Sequence, residues 1–97
     1  MTIREFLVET GNLPNLAGFD YLIRAVEIVK EKKRVQITKE VYPQLAKEFD
    51  TTPSRVERAI RHIVSDRLKL ADFKIIGLNK RPSNSELIYY FAVGGKK

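Results

Sequence analysis

The chain is expected to fold as an all-α domain, a compact helical bundle of about five to six helices that contains a helix-turn-helix. Three observations carry that expectation. Apolar residues recur at spacings of three and four through most of the sequence. Between Thr38 and Val64 a short helix, a tight turn and a longer helix follow one another. The second of those helices joins an apolar stripe to a face rich in arginine.

That second helix organises the rest. Thr52 is placed to cap its first turn, and Pro53 falls at the first helical position, where a missing N–H costs nothing. Val56, Ala59, Ile60, Ile63 and Val64 line up on one side. At 100° per residue the other side collects Ser54, Arg58, Arg61, His62 and Ser65, with Arg55 and Glu57 on the flanks. Such a helix buries one side and offers the other to an anion. A solvated basic face with no partner is the plain alternative from the helix alone.

In chain order, residues 2–10 read as a short helix with Ile3, Phe6 and Leu7 inward and Gly11-Asn12 as its stop. Leu13-Pro14-Asn15 is a loop. Gly18 precedes a strong helix from Phe19 to about Lys32, with Phe19, Leu22, Ile23, Val26 and Val29 inward and Arg24, Glu27, Lys30 and Glu31 outward. Lys32-Lys33-Arg34 close it, where cations favour the negative end of the helix dipole. Thr38 starts the next element, with Val41, Tyr42, Leu45, Ala46 and Phe49 as its buried side. Pro43 within it implies a start near Tyr42 or a kink there. Asp50 is the expected left-handed residue of the tight connection.

From Asp66 to Asn79 no single period holds. Lys80-Arg81-Pro82-Ser83-Asn84 is a basic loop, and residues 85–93 are apolar. Tyr and Ile enrichment favours a β-hairpin wing with strands at 73–78 and 86–93. The cap signal Ser-Asn-Ser-Glu favours a final helix. Pattern alone leaves both open. Lys96-Lys97 is expected to fray.

Composition bounds the chemistry. The 97 residues suit one domain over 1–97, 43% hydrophobic and 31% charged. With no cysteine and His62 as the one histidine, thiol nucleophiles, thiolate zinc sites and histidine metal clusters are excluded, and no metal or other cofactor is expected. The glycines are scattered and form no phosphate loop, so an enzyme is not expected. No apolar run approaches the ~20 residues of a membrane span, and the N-terminus is not a signal peptide. A cytoplasmic setting with no membrane partner is the expectation. The net charge of +6 is uneven: residues 1–52 balance at eight basic and eight acidic, whereas residues 53–81 hold eight basic and three acidic. A basic half on a neutral domain is the electrostatic footprint of a nucleic-acid binder.

Several segments resemble a known family. They are Gly18-Phe19-Asp20-Tyr21-Leu22, Ile37-Thr38-Lys39, Tyr42-Pro43, Ala46-Lys47-Glu48-Phe49 and, most specifically, Thr51 through His62. Arg81-Pro82-Ser83-Asn84-Ser85-Glu86-Leu87 is similar to the family's Lys-Pro-Thr-Asn-Ser-Glu-Phe. Together they resemble the C-terminal effector domain of the stage-zero sporulation response regulator of spore-forming bacteria. The resemblance implies an all-helical domain that binds double-stranded DNA at a TGTCGAA-type box, with a tandem homodimer on repeated boxes. It implies a recognition helix at about 52–66 and a helix at about 84–93. It makes Arg55, Glu57, Arg58, Arg61 and His62 candidate base readers. Thr38, Lys39, Thr52 and Ser54 are candidate phosphate contacts near helix N-termini. Lys80 and Arg81, in a loop of loose orientation, are candidate backbone contacts.

The sequence departs from the family in two places. No receiver domain is present in these 97 residues, and Met1 before a short first helix favours a stand-alone protein over an excised fragment. The segment between His62 and Pro82 is shorter than the family's, in a region that contacts RNA polymerase there. That keeps a rival from another class: a protein-interaction module that pairs with the full-length regulator or RNA polymerase and antagonises it.

The helix phase makes a first prediction. Ile60→Asp places an unpaired charge at the centre of the apolar stripe and should unfold the domain, whereas Arg58→Ala, nearly opposite, should leave it folded. Circular dichroism melts of both variants check this, and equal losses of stability would mean that the phase is misassigned.

Overall fold

The computed structural model describes residues 1–94, and the expected fraying of Lys96-Lys97 lies outside them. Six α-helices follow one another: α1 (Ile3–Glu9), α2 (Ala17–Lys32), α3 (Tyr42–Glu48), α4 (Pro53–Arg61), α5 (Leu70–Ile75) and α6 (Asn84–Ala92). A π-helical turn, Ile37–Val41, leads into α3, and another, His62–Arg67, extends α4. No strand occurs among the described residues. The β-hairpin wing is therefore not formed. Ser83 and Glu86 close a capping box instead, Glu86 N donating to Ser83 Oγ at 3.1 Å and Ser83 N to Glu86 Oε1 at 2.8 Å. Leu87, Ile88 and Phe91 then turn inward on one helical face.

The central element is α2. Phe19, Leu22, Ala25, Val26, Ile28 and Val29 are buried along it, and α4 and α6 both pack against it. Phe6 of α1 meets Phe73 of α5 and Phe91 of α6 at centroid distances of 6.2 and 5.6 Å, which joins the two ends of the chain in one core. Gly18 lies inside the first turn of α2 rather than ahead of it. A Cβ built there would meet the Ala59 carbonyl oxygen at 2.5 Å and Ile63 Cδ1 at 2.9 Å. Only glycine allows α4 to come this close.

The helix ends explain the turns. At Gly11, Asp50 and Gly77 the backbone takes a positive φ, of 82°, 54° and 88°. In each case the next residue donates across the turn: Asn12 N to Leu7 O at 2.8 Å, Thr51 N to Ala46 O at 2.8 Å, Leu78 N to Phe73 O at 3.0 Å. These are Schellman closures, which satisfy orphan carbonyls at a helix C-terminus. The Asp50 turn is the one that joins α3 to α4, as its expected left-handed conformation requires. At the end of α2, Lys33 adopts φ 64°, ψ −66°, and Arg34 N donates to Lys32 O at 2.7 Å. That is a γ-turn of the rarer, strained hand. The basic trio thus marks a sharp reversal as well as a favourable dipole end.

Pro43 does not kink α3. The chain arrives in a π-helical turn, with Val41 N reaching back to Gln36 O at 3.2 Å, so the α-helix begins at Tyr42 and Pro43 falls in its first turn. Phe49, expected to be buried, is 39% exposed and packs edge-on against Tyr21, 5.0 Å between centroids.

Arg24 departs from its expected solvent-facing role. Its Nε and Nη2 donate to the two carboxylate oxygens of Glu48 at 2.8 and 3.0 Å, a fork that ties α2 to α3. The guanidinium, helped by the Gln44 amide, holds the Glu48 carboxyl down at about 2.

Gly18→Ala tests the crossing of α2 and α4. In an open helix the change would stabilise by about 0.5–1 kcal/mol through lower chain entropy. Here the clash is with backbone, so the expected outcome is a loss of about 1–3 kcal/mol. Denaturant unfolding reads the sign directly; a gain in stability would show that the two helices cross further apart.

Candidate nucleic-acid interface

The short α3, the Asp50 turn and the longer α4 form a helix-turn-helix, and α4 presents one face outward. Thr52 caps α4, its hydroxyl accepting from Arg55 N at 3.2 Å, and Pro53 occupies the first turn. Val56, Ile60, Ile63 and Val64 are buried and Ala59 is half-buried, so the inner stripe has the expected phase. Ser54, Arg55, Arg58, Arg61 and His62 are exposed, and Glu57 is half-buried.

After Arg61 the helix widens. Leu68 N donates to Ile63 O at 2.9 Å, five residues back, where an α-helix would reach four. Such π-helical turns recur at functional sites because the extra residue re-aims the side chains around it. His62 opens this turn and pairs with Asp66 one turn on, Nδ1 to Oδ2 3.3 Å.

The cations on the outer face fall into two groups. Arg61 is held: its Nη1 lies 3.2 Å from both carboxylate oxygens of Glu57. Glu57 also has the Asn84 amide 3.5 Å from one oxygen. Among the described residues, no side-chain hydrogen bond or ion pair engages the guanidinium groups of Arg55 and Arg58. Both therefore present a full set of donors to solvent.

Behind Glu57 lies Tyr42 of α3, 4% exposed. Burial pushes the pKa of its hydroxyl up; the Asn84 amide beside it pulls the other way, and the Glu57 charge adds a smaller push. Tyr42, Glu57 and Asn84 thus bring α3, α4 and the start of α6 together. No local pattern in the sequence points to this contact, because Asn84 and Glu57 lie 27 residues apart. Ser83 caps α6, which leaves the Asn84 side chain for Glu57.

The candidate phosphate contacts are spread along the chain. Thr38 and Lys39 are exposed in the π-helical turn before α3, and Thr52 and Ser54 are exposed at the start of α4. Lys80 is exposed in the loop before α6. Arg81 corrects the expectation of loose orientation. Its Nη1 donates to Val64 O at 2.9 Å and Leu68 O at 2.8 Å, with Ser65 O at 3.4 Å, and its Cζ lies 5.7 Å from the centre of the Phe73 ring. Arg67, not singled out from sequence, is exposed yet also engaged within the fold. Its Nε donates to Asn12 Oδ1 at 2.7 Å and its Nη2 to Gly11 O at 3.2 Å.

Among the described residues no group of three or more His, Cys, Asp or Glu is arranged to hold a metal ion, and no helix is long and apolar enough to cross a membrane. Helix α4 presents a basic outer face, the electrostatic footprint of a nucleic-acid binder. A family model described as the C terminus of the sporulation initiation factor Spo0A matches residues 3–93, nearly the whole of the fold described above. The helix-turn-helix, its outward arginines and that match lead to one conclusion: the chain belongs to the Spo0A C-terminal family, the DNA-binding effector domain of a sporulation response regulator.

Proposed function

We propose that this chain binds double-stranded DNA sequence-specifically, with α4 and the π-helical turn after it in the major groove of a TGTCGAA-type box. The observation that carries this reading is the outer face of α4, where Arg55 and Arg58 extend from a helix whose inner face is fully packed. A side chain on a packed helix keeps its direction, which base readout needs and phosphate contact does not. Arg58 and Arg61 stand three residues apart, so their guanidinium groups reach neighbouring base pairs. Glu57 steadies Arg61, and in this reading its carboxylate accepts from a cytosine amino group. Arg55 and His62 read from the two ends of the face.

Phosphate anchoring falls to Thr38 and Lys39 ahead of α3, to Thr52 and Ser54 at the positive end of the α4 dipole, and to Lys80. Two copies in tandem on repeated boxes, a cytoplasmic setting and a regulatory rather than enzymatic role complete this reading.

A second reading, a module that pairs with the full-length regulator or with RNA polymerase and antagonises it, has one observation in its favour. Leu70 and Ile75 of α5 are 43% and 57% exposed, two apolar side chains outside the helix-turn-helix that a protein partner could cover. A gel shift with box-containing and scrambled duplexes separates the two readings: selective retardation supports DNA reading, and failure to shift either duplex supports the antagonist.

Three outcomes are expected. With about four to six phosphates neutralised, the log–log dependence of affinity on salt should have a slope near −4 to −5. A slope shallower than about −2 would remove the phosphate-tracking surface. Losing a bidentate guanine contact in Arg58→Ala or Arg61→Ala should cost about 1–3 kcal/mol on the cognate box and much less on random duplex. Lys80→Ala should weaken both duplexes alike and lower the salt slope by about one. Equal losses on both duplexes for the arginine variants would make α4 an electrostatic anchor only.

A further inference from the structure

The last turn of any helix leaves carbonyls without partners, and a π-helical turn worsens the problem because its hydrogen-bond ladder is out of step with the α-helix before it. The turn His62–Arg67 ends the recognition helix, so its carbonyls need a donor from elsewhere. Arg81 supplies it from the loop before α6. One guanidinium nitrogen serves Val64 O, Leu68 O and, more distantly, Ser65 O, and the guanidinium lies over the Phe73 ring. Pro82 restricts the backbone next to it, and the Ser83 capping box locks the following turn. Three residues on, Asn84 places its amide 3.5 Å from Glu57, which itself holds Arg61. The short segment 81–84 therefore touches the recognition helix at two points, its C-terminal turn and the Glu57 side chain that holds Arg61.

We propose that Arg81, seconded by Asn84, is a positioning residue: it sets how α4 and its π-helical turn aim Arg61 and His62 at the bases, rather than contacting a phosphate. The proposal rests on the DNA-reading function above. It makes DNA specificity depend on a loop outside the helix-turn-helix. A phosphate needs only a positive charge within reach, which a lysine provides equally well. Reaching two carbonyls with one terminal nitrogen while the flat guanidinium lies over the Phe73 ring uses the longer, planar, weakly hydrated head of arginine, which the shorter side chain and strongly hydrated ammonium of lysine do not reproduce.

The discriminating variant is therefore Arg81→Lys. Wild type, Arg81→Lys, Arg81→Gln and Asn84→Ala are titrated with box-containing and scrambled duplexes at two salt concentrations. Thermal melts fix a temperature at which every variant is folded. The expected result is that Arg81→Lys binds scrambled duplex within about twofold of wild type, with an unchanged salt slope, yet loses about tenfold in discrimination for the box. Asn84→Ala should show the same pattern more weakly. Wild-type discrimination in Arg81→Lys, with Arg81→Gln weakening both duplexes and lowering the salt slope by about one, would make Arg81 a phosphate contact and overturn the proposal. A lower melting temperature with unchanged discrimination would make it a structural clamp only, and would overturn it as well. A wild-type domain that fails to prefer the box is a different outcome, one that removes the DNA-reading function itself.

Discussion

The close crossing of α2 and α4 at Gly18 is the constraint on which the rest depends. Helix α4 rests its backbone, at Ala59, directly against the first turn of the central helix, with no side chain between them. The bland-looking stripe Val56, Ile60, Ile63 and Val64 can then sink completely into the core. Once that face is buried, the phase of the helix is settled, and so is the outward direction of Arg55, Arg58 and Arg61. A larger residue at position 18 would lift α4 and turn its face, because packed interiors do not absorb a methyl group without a shift.

The helix-turn-helix is held from several directions. The Asp50 closure sets the short connection, and the Arg24–Glu48 fork ties α3 back to α2. The fork is about a third exposed on both partners, so its contribution to stability is modest, on the order of 1 kcal/mol or less. Its geometric effect is larger than its energy, since a bidentate pair restricts orientation. At the far end Arg67 latches the extended α4 to Asn12, which is buried and fully engaged, and the same turn reaches Arg81 on its other side.

The arginines of this chain are not equivalent, although they contribute equally to net charge. Arg24, Arg67 and Arg81 bind partners within the fold, and Arg61 is steadied by Glu57. Arg55 and Arg58 project from α4 with their donors directed to solvent. The excess positive charge of residues 53–81 is thus partly structural: some of these cations are engaged within the fold, and a smaller set projects into solvent.

The sequence alone determined the first four helices, the α3–α4 turn and the residues of the basic face, but not α5, where residues 66–79 keep no single period, nor the two π-helical turns. The features it determined are local: a cap reads as Thr52-Pro53, a stripe as a spacing of three and four, a left-handed turn as Asp50. Family resemblance, rather than periodicity, favoured a helix over a wing at the C-terminus. The sequence did not disclose the partners of Arg24, Arg67 and Arg81, the role of Asn84 or the need for glycine at position 18. Each depends on a group distant in the chain: Arg81 meets Val64, 17 residues away, and Arg67 meets Asn12, 55 residues away. A guanidinium on a polar face has the same local pattern whether it meets water, a phosphate or a carbonyl. Only the tertiary fold, which brings the loop before α6 to the end of the extended α4, decided which of these Arg81 would find.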